Sequence, residues 1–231
     1  MQLIAMHGWA GDSHGWAAWQ QACQARGWSW HSGDRGYGYL GQAEPRWDED
    51  PTKASQRRVV IAHSMGIHLL PAEVLSEADA LVLLASFGRF IPEGKAGRRL
   101  RLAIEAMAGQ LRSDRGETIL GDFLARAAAP ADPALLRPTP FDSGVSAIGR
   151  QRLTRDLDAL AHTSGLPDGF PQQARVLLVE AGSDQIVAPE ATEALAACLP
   201  QADRIVLQGA GHCFLGSPVL PMALAWLEPL G

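Results

Sequence analysis

Residues 58–70 read RVVIAHSMGIHLL, and the rest of the chain is organised around this stretch. The run at 59–62 is apolar and rich in β-branched side chains, which is typical of a strand buried on both faces of a sheet. The pattern breaks at 63–66 and resumes at 67–70 as an apolar segment that indicates a helix running back along the sheet. The stretch therefore predicts a buried strand, a tight turn and a helix in direct succession.

Ser64 stands at the turn between that strand and that helix. A serine in this position resembles the nucleophile elbow of the α/β-hydrolases, where the turn lifts the hydroxyl above the edge of the sheet. Small residues are needed on both sides of the turn so that strand and helix can approach. Gly66 fills the second small position, whereas Ala62 stands where the usual pattern has glycine. We therefore predict that Ser64 is a nucleophile.

Length and composition are those of a single globular domain. The 231 residues, of which 47% are hydrophobic, suffice for one sizeable core. No apolar run reaches the roughly 20 residues of a membrane span, and the first residues, MQLIAMHG, carry no basic leader. We expect a cytoplasmic, monomeric protein that does not associate with a membrane. The three cysteines form no CxxC pair, so free thiols are expected rather than a disulfide or a metal site.

The charge is distributed unevenly along the chain. The net charge of −5 and the lack of a basic stripe argue against nucleic-acid binding. Residues 88–170 carry 12 Lys and Arg against 10 Asp and Glu; the whole chain has 20 and 25, so the remainder has 8 and 15. A basic segment on an acidic body would steer an acidic partner towards that segment. Arginines on solvated helix faces are the alternative explanation.

Strand and helix signals alternate on both sides of a long central segment. Further buried strands are predicted at 2–6, 28–30, 80–85, 175–180 and 204–207. Between 88 and 170 no strong strand pattern occurs, and 98–111 and 117–129 have the periodicity of amphipathic helices. We predict an α/β core of mostly parallel strands, formed by 1–87 and 171–231, with a helical cap inserted at 88–170.

Two polar residues follow the last predicted strands. Asp184 comes after the strand at 175–180, and His212 lies in a glycine-rich loop after the strand at 204–207. The order Ser64, Asp184, His212 matches that of the α/β-hydrolases. Taken alone, Ser64 could be an ordinary strand-end serine, Asp184 a helix cap and His212 a loop histidine. Because all three fall at the carboxyl edge of a parallel sheet, where open α/β folds have their sites, we predict a catalytic triad.

The sequence His7-Gly8-Trp9 follows the first strand. In this type of fold the corresponding loop points a backbone N–H into the site, and glycine allows close approach to the substrate. We therefore predict an oxyanion hole made of the N–H groups of Trp9 and Met65. The alternative for the sequence His7-Gly8-Trp9 is a plain turn without such a role. His7 is expected to brace the loop, and His63 to shape the pocket. The mechanism requires no metal and no organic cofactor.

Several motifs taken together resemble one family, the pimeloyl-[acyl-carrier-protein] methyl ester carboxylesterases of biotin biosynthesis. The likeness lies in HGW, AHSMG, LLASFGRF, GSDQIVAP and GAGHCFLGSP, with the segment DFLAR in between. The resemblance implies that Phe123 contacts the acyl chain. Four positions on, Ala127 replaces a polar residue of that family. It also implies that cap arginines bind the acidic acyl carrier protein, and by position these are Arg126, Arg150, Arg152 and Arg155.

The resulting hypothesis is a serine carboxylesterase that hydrolyses the methyl ester of a carrier-bound dicarboxylic acyl chain. A general short-chain esterase, a thioesterase or a carbon–carbon hydrolase of the same fold is the alternative among enzymes. A ligand-binding scaffold that has kept the fold without the chemistry is the alternative outside them.

Overall fold

The computed structural model describes residues 1–50, 55–113 and 115–230. Its centre is a six-stranded sheet in the order β2-β1-β3-β4-β5-β6, and every neighbouring pair is parallel. The strands are β1 (Gln2–Met6), β2 (Ser29–Ser32), β3 (Arg58–His63), β4 (Ala80–Leu84), β5 (Arg175–Ala181) and β6 (Asp203–Leu207). The predicted parallel α/β sheet is therefore confirmed, and strand bounds differ from the predicted ones by one or two residues.

Helices cover both faces of this sheet. These are α1 (Ala17–Gln24), α2 (Ala72–Ser76), α6 (Pro189–Cys198) and α7 (Val219–Leu227), while α3 (Gly94–Leu111), α4 (Gly116–Ala128) and α5 (Ala147–Ala161) lie between β4 and β5. Side chains of successive strand residues point to opposite faces, so Val59 and Ile61 of β3 join an apolar layer with α1 and α7. Val60 and Ala62 join a second layer with α2 and α6. All four are completely buried, as the apolar run predicts.

The segment between β4 and β5 forms a third apolar layer. Its helices α3, α4 and α5 contribute Ile104, Leu120 and Leu157 to a cluster that also contains Trp9 and Met65. Two of these helices match the predicted ones, while α5 has no counterpart in the sequence prediction. The division into core and cap stays a prediction. Among the described residues, no helix combines the length and apolarity needed to cross a membrane.

A buried ion pair ties α5 to the loop after β2. Arg35 Nε and Nη2 donate to the two carboxylate oxygens of Asp156 at 2.8 and 2.7 Å. Tyr37 Oη donates to the same carboxylate at 2.7 Å. Burial, together with the neighbouring Asp156 charge, raises the pKa of Tyr37 well above its usual value, so the phenol keeps its proton. The carboxylate of Asp156 thus fixes α5 to the loop after β2.

We predict that Asp156→Ala lowers the free energy of unfolding by about 3 kcal/mol, because it leaves the partly buried Arg35 guanidinium without its counter-charge. The matched control is Asp158→Ala on the same helix, where the side chain is 76% exposed and a change below about 0.5 kcal/mol is expected. Urea unfolding of both variants measures the difference. Equal effects of the two substitutions would contradict this role of Asp156.

Candidate active site

The backbone at Ser64 adopts a conformation that is unusual for a residue with a side chain. Its φ angle is +55°, in the left-handed region, immediately after β3 ends at His63. Such strain persists where the surrounding structure imposes it, and it concentrates at functional sites. The close packing of the turn supplies the constraint, because a Cβ on Gly66 would lie 2.4 Å from the carbonyl oxygen of Met6 in β1. Only glycine fits at this second small position.

The helix after Ser64 differs from the prediction. The sequence predicts a helix reaching residue 70, whereas the structure has a five-residue 3-10 helix, Ser64–His68. The next helix, α2, begins only after Pro71, which is its N-cap. Proline has no N–H to donate to the preceding turn, so the elbow helix ends before it. The turn at Ser64 is retained despite this shortening.

Asp184 and His212 form a direct hydrogen bond. His212 Nδ1 donates to Asp184 Oδ2 at 2.8 Å, and both side chains are buried. The other carboxylate oxygen accepts from the backbone N–H groups of Ile186 at 2.7 Å and Val187 at 3.0 Å. Burial raises the pKa of Asp184, but the bond from His212, its charge and the two N–H groups outweigh burial and hold this pKa below its usual value. The bond to the carboxylate puts the proton on Nδ1 and leaves Nε2 of His212 free.

The histidine loop lies directly against the turn at Ser64. His63, the preceding residue, donates from Nε2 to the carbonyl oxygen of His212 at 2.9 Å, and the two rings are 4.7 Å apart between centroids. Within the described part of the chain, Ser64 Oγ makes no hydrogen bond, so the contact between Ser64 and His212 is not closed here. Such bonds are often long in unliganded sites and tighten when substrate binds.

His7 braces the loop after β1, as predicted. Its Nδ1 donates to the carbonyl oxygen of Gly8 at 2.8 Å, and its Nε2 accepts from the N–H of Arg35 at 3.1 Å. Burial is the main cause that lowers the pKa of His7, so the ring is neutral. The loop lies so close to the turn that a Cβ added to Gly8 would be 2.8 Å from Cβ of Ser64.

The two predicted oxyanion donors are backbone N–H groups near that contact. The N–H of Trp9, in the braced loop, has no acceptor among the described residues, whereas its indole donates to the carbonyl oxygen of Leu153 in α5 at 2.8 Å. Met65 is the second residue of the 3-10 helix, and the first N–H groups of a helix have no acceptor within it. Both groups are thus available, and their role stays a prediction.

A cavity of about 610 Å³ opens beside His63 and His212. The three residues predicted to bind substrate, Trp9, Phe123 and Ala127, all line it. Trp9 and Phe123 pack edge to face with ring centroids 4.8 Å apart. The remaining lining is largely apolar and includes Trp16, Leu84, Leu124, Leu135, Leu136, Phe214 and Val219. The structure therefore brings these residues and His212 to one apolar cavity.

The four predicted carrier-binding arginines differ in their surroundings. Arg150 donates to the carbonyl oxygen of Leu111 at 2.8 Å, and Arg152 donates to that of Gly36 at 3.0 Å. These two guanidinium groups thus link elements of the protein itself. Arg126 and Arg155 are exposed.

The cysteines and the possible metal ligands are the remaining candidates for a site among the described residues. Cys23, Cys198 and Cys213 are all free thiols, as predicted. Burial, with the nearby Asp184 charge, raises the pKa of Cys213 to about 12, so this thiol beside His212 keeps its proton. Within residues 1–50, 55–113 and 115–230, no group of three or more His, Cys, Asp or Glu side chains could hold a metal ion.

Comparison with known proteins identifies the fold. No protein-family model and no curated protein sequence matches the chain. Among solved structures, an esterase from Exiguobacterium antarcticum superimposes with a TM-score of 0.76 at 18% identity, covering 99% of this chain and 92% of that one. A thermophilic esterase from Thermogutta terrifontis gives 0.69 at 17% identity, covering 99% and 90%.

An enol-lactonase from Burkholderia xenovorans LB400 is a third similar structure, with a TM-score of 0.68 at 15% identity and coverage of 99% and 89%. At such identities the likeness concerns the fold. Together with the all-parallel order of the six strands, it shows that this chain has the α/β-hydrolase fold.

The contact between the histidine loop and α4 gives a testable prediction. A Cβ on Gly211 would lie 1.8 Å from the carbonyl oxygen of Ala129, whereas a Cβ on Gly209 would meet nothing within 4 Å. Gly211→Ala should therefore lower the free energy of unfolding by about 1 to 3 kcal/mol, and Gly209→Ala should leave it nearly unchanged. Thermal and urea unfolding measure both. Equal stabilities of the two variants would show that α4 does not rest on this loop.

Proposed function

We propose that the protein is a serine carboxylesterase in which Ser64, His212 and Asp184 form the catalytic triad. The observation that carries this proposal is the strained turn at Ser64 in contact, through His63, with a loop whose histidine is bonded to a buried carboxylate. An apolar cavity lined by His63 and His212 opens beside this contact. The solved structures with the same fold include two esterases and an enol-lactonase, which supports ester hydrolysis.

The proposed reaction uses each group once in acylation and once in deacylation. His212 Nε2 takes the proton of the Ser64 hydroxyl as its oxygen attacks the ester carbonyl carbon. The collapsing tetrahedral intermediate expels the alcohol, which receives that proton, and leaves the acyl group on Ser64. Water then attacks the acyl-enzyme in the same way. Asp184 holds the tautomer with the proton on Nδ1 and stabilises the imidazolium.

The negative oxygen of the tetrahedral intermediate would be bound by the N–H groups of Trp9 and Met65. Each such preorganised donor contributes about 3 to 4 kcal/mol to transition-state stabilisation. The closeness of Gly8 to Ser64 supports this assignment, because a side chain at that position would push the Trp9 loop away from the elbow.

We predict that Ser64→Ala lowers kcat for p-nitrophenyl butyrate by about 10⁴-fold or more, because the nucleophile is removed. The matched control is Ser86→Ala, since Ser86 is also buried after a central strand but donates to the carbonyl oxygens of Ala62 and Leu84. That variant should keep kcat within a few-fold. Undiminished hydrolysis by Ser64→Ala would remove the triad, and no hydrolysis by the wild type would favour the ligand-binding scaffold.

For the substrate, we propose the methyl ester of a pimeloyl chain on acyl carrier protein. The apolar lining around Phe123 and Ala127 supports binding of an aliphatic acyl chain. Arg126, exposed on α4 one residue before the cavity-lining Ala127, together with the exposed Arg155, supports docking of an acidic carrier. Arg150 and Arg152 are better explained as internal links.

This substrate is tested by growth without biotin. A strain that lacks its own pimeloyl methyl ester esterase should grow when it expresses the wild-type chain, and should fail when it expresses Ser64→Ala at the same level. Failure of well-expressed wild-type protein that hydrolyses p-nitrophenyl butyrate would contradict the substrate and favour a general short-chain esterase. Faster turnover of an acyl thioester or of a carbon–carbon bond substrate would favour those two alternatives.

A further inference from the structure

Two histidines from distant parts of the chain are joined in the site. His63 belongs to the end of β3 and His212 to the loop after β6. A backbone carbonyl oxygen can only accept a hydrogen bond. The 2.9 Å contact between His63 Nε2 and the carbonyl oxygen of His212 therefore requires the His63 proton on Nε2. This bond attaches the histidine loop to the residue next to Ser64.

The surroundings of His63 favour a neutral ring. Burial first, and His212 second, lower its pKa to about 3, and the bond to the His212 carbonyl and the charge of Asp184 offset this only in part. The titratable groups that face the ring are His212, Asp184 and His7, and His7 also lowers the pKa. With the proton on Nε2, Nδ1 of the neutral ring carries a lone pair near Gly8, where a Cβ would lie 3.3 Å from it.

Among the described residues, the bond from His63 is the hydrogen bond that the carbonyl of His212 accepts. The ring of His212 is held by Asp184 at Nδ1, and the following residue, Cys213, donates from its N–H to the carbonyl oxygen of Ala127 in α4 at 3.1 Å. The Cys213 N–H and the His212 carbonyl belong to the same planar peptide unit, so Ala127 and His63 hold this unit at its two polar groups. Without the His63 donor, this peptide would keep its bond to α4 but lose its bond to the elbow, and it would no longer hold the imidazole of His212 against Ser64 from both sides.

We propose that His63 is a positioning residue for His212: its Nε2–H holds the peptide of the histidine loop so that Nε2 of His212 points at Ser64. This inference rests on the proposed esterase function. Because the His63 ring is neutral, it adds no positive charge beside the imidazolium that forms on His212 during each half-reaction. The elbow would thus supply both the nucleophile, Ser64, and the residue that positions its general base, because His63 holds His212.

The test compares three variants. His63→Phe keeps a ring without a donor, and His63→Gln restores an N–H on a side chain of similar reach. The matched control is His68→Phe, because His68 is also a partly buried elbow histidine, and its Nε2 donates to the carbonyl oxygen of Phe87 at 2.8 Å, away from the triad. Hydrolysis of p-nitrophenyl butyrate and the NMR signal of the His212 Nδ1–H proton are measured for each.

We expect His63→Phe to lower kcat about 10- to 100-fold with KM changed less than about two-fold, because an interaction used in the chemical step is lost. His63→Gln should recover most of this loss, and His68→Phe should retain wild-type kcat. In His63→Phe the His212 Nδ1–H signal should broaden, since the ring is no longer held in one position. It should stay sharp in His63→Gln and in His68→Phe.

Unchanged kcat in His63→Phe would overturn the proposal, as would equal losses in His63→Phe and His68→Phe or the lack of recovery in His63→Gln. The NMR measurement decides independently of activity: a sharp His212 Nδ1–H signal in folded His63→Phe, or a wild-type His63 ring with its proton on Nδ1, would also overturn it. An inactive wild type with the expected NMR signals would instead contradict the esterase function alone.

Discussion

The close approach of the elbow to β1 is the constraint on which the site depends. No Cβ fits between residue 66 and the carbonyl oxygen of Met6, so glycine packs there and the chain must turn sharply at Ser64. The left-handed backbone of Ser64 follows from this packing and from the apolar layers that hold β3 on both faces. The same turn carries His63 to the histidine loop. One backbone contact thus positions two side chains of the site.

The helices between β4 and β5 contact both loops that form the site. Helix α5 is bonded to the loop after β2 through Arg35 and Asp156, and its backbone accepts from the indole of Trp9. The end of α4 accepts from the N–H of Cys213, next to His212. Movement of these helices would therefore shift the Trp9 loop and the histidine loop as well as the apolar wall of the cavity.

The sequence predicts the parts of the site that are encoded locally. Ser64, Asp184 and His212 each follow a strand with a clear apolar pattern, and the parallel sheet brings their loops to one edge. Contacts between distant residues leave no such pattern. The bond between His63 and the His212 carbonyl spans 149 residues, and the pair of Arg35 and Asp156 spans 121.

For the same reason, sequence could not separate exposed arginines from those bonded internally. The helix after Ser64 is shorter than predicted because apolar residues continue to position 70, although Pro71 already indicates that the helix is interrupted there. The roles of the triad and of the oxyanion donors remain proposals that rest on this geometry. The most direct measurement is a crystal structure of the protein after reaction with a p-nitrophenyl alkylphosphonate. The account predicts phosphorus bonded to Ser64 Oγ, with its oxygen at the N–H groups of Trp9 and Met65 and with His212 Nε2 within hydrogen-bond distance of Ser64 Oγ. An unmodified Ser64, or a His212 ring that stays out of reach of it, would contradict the account.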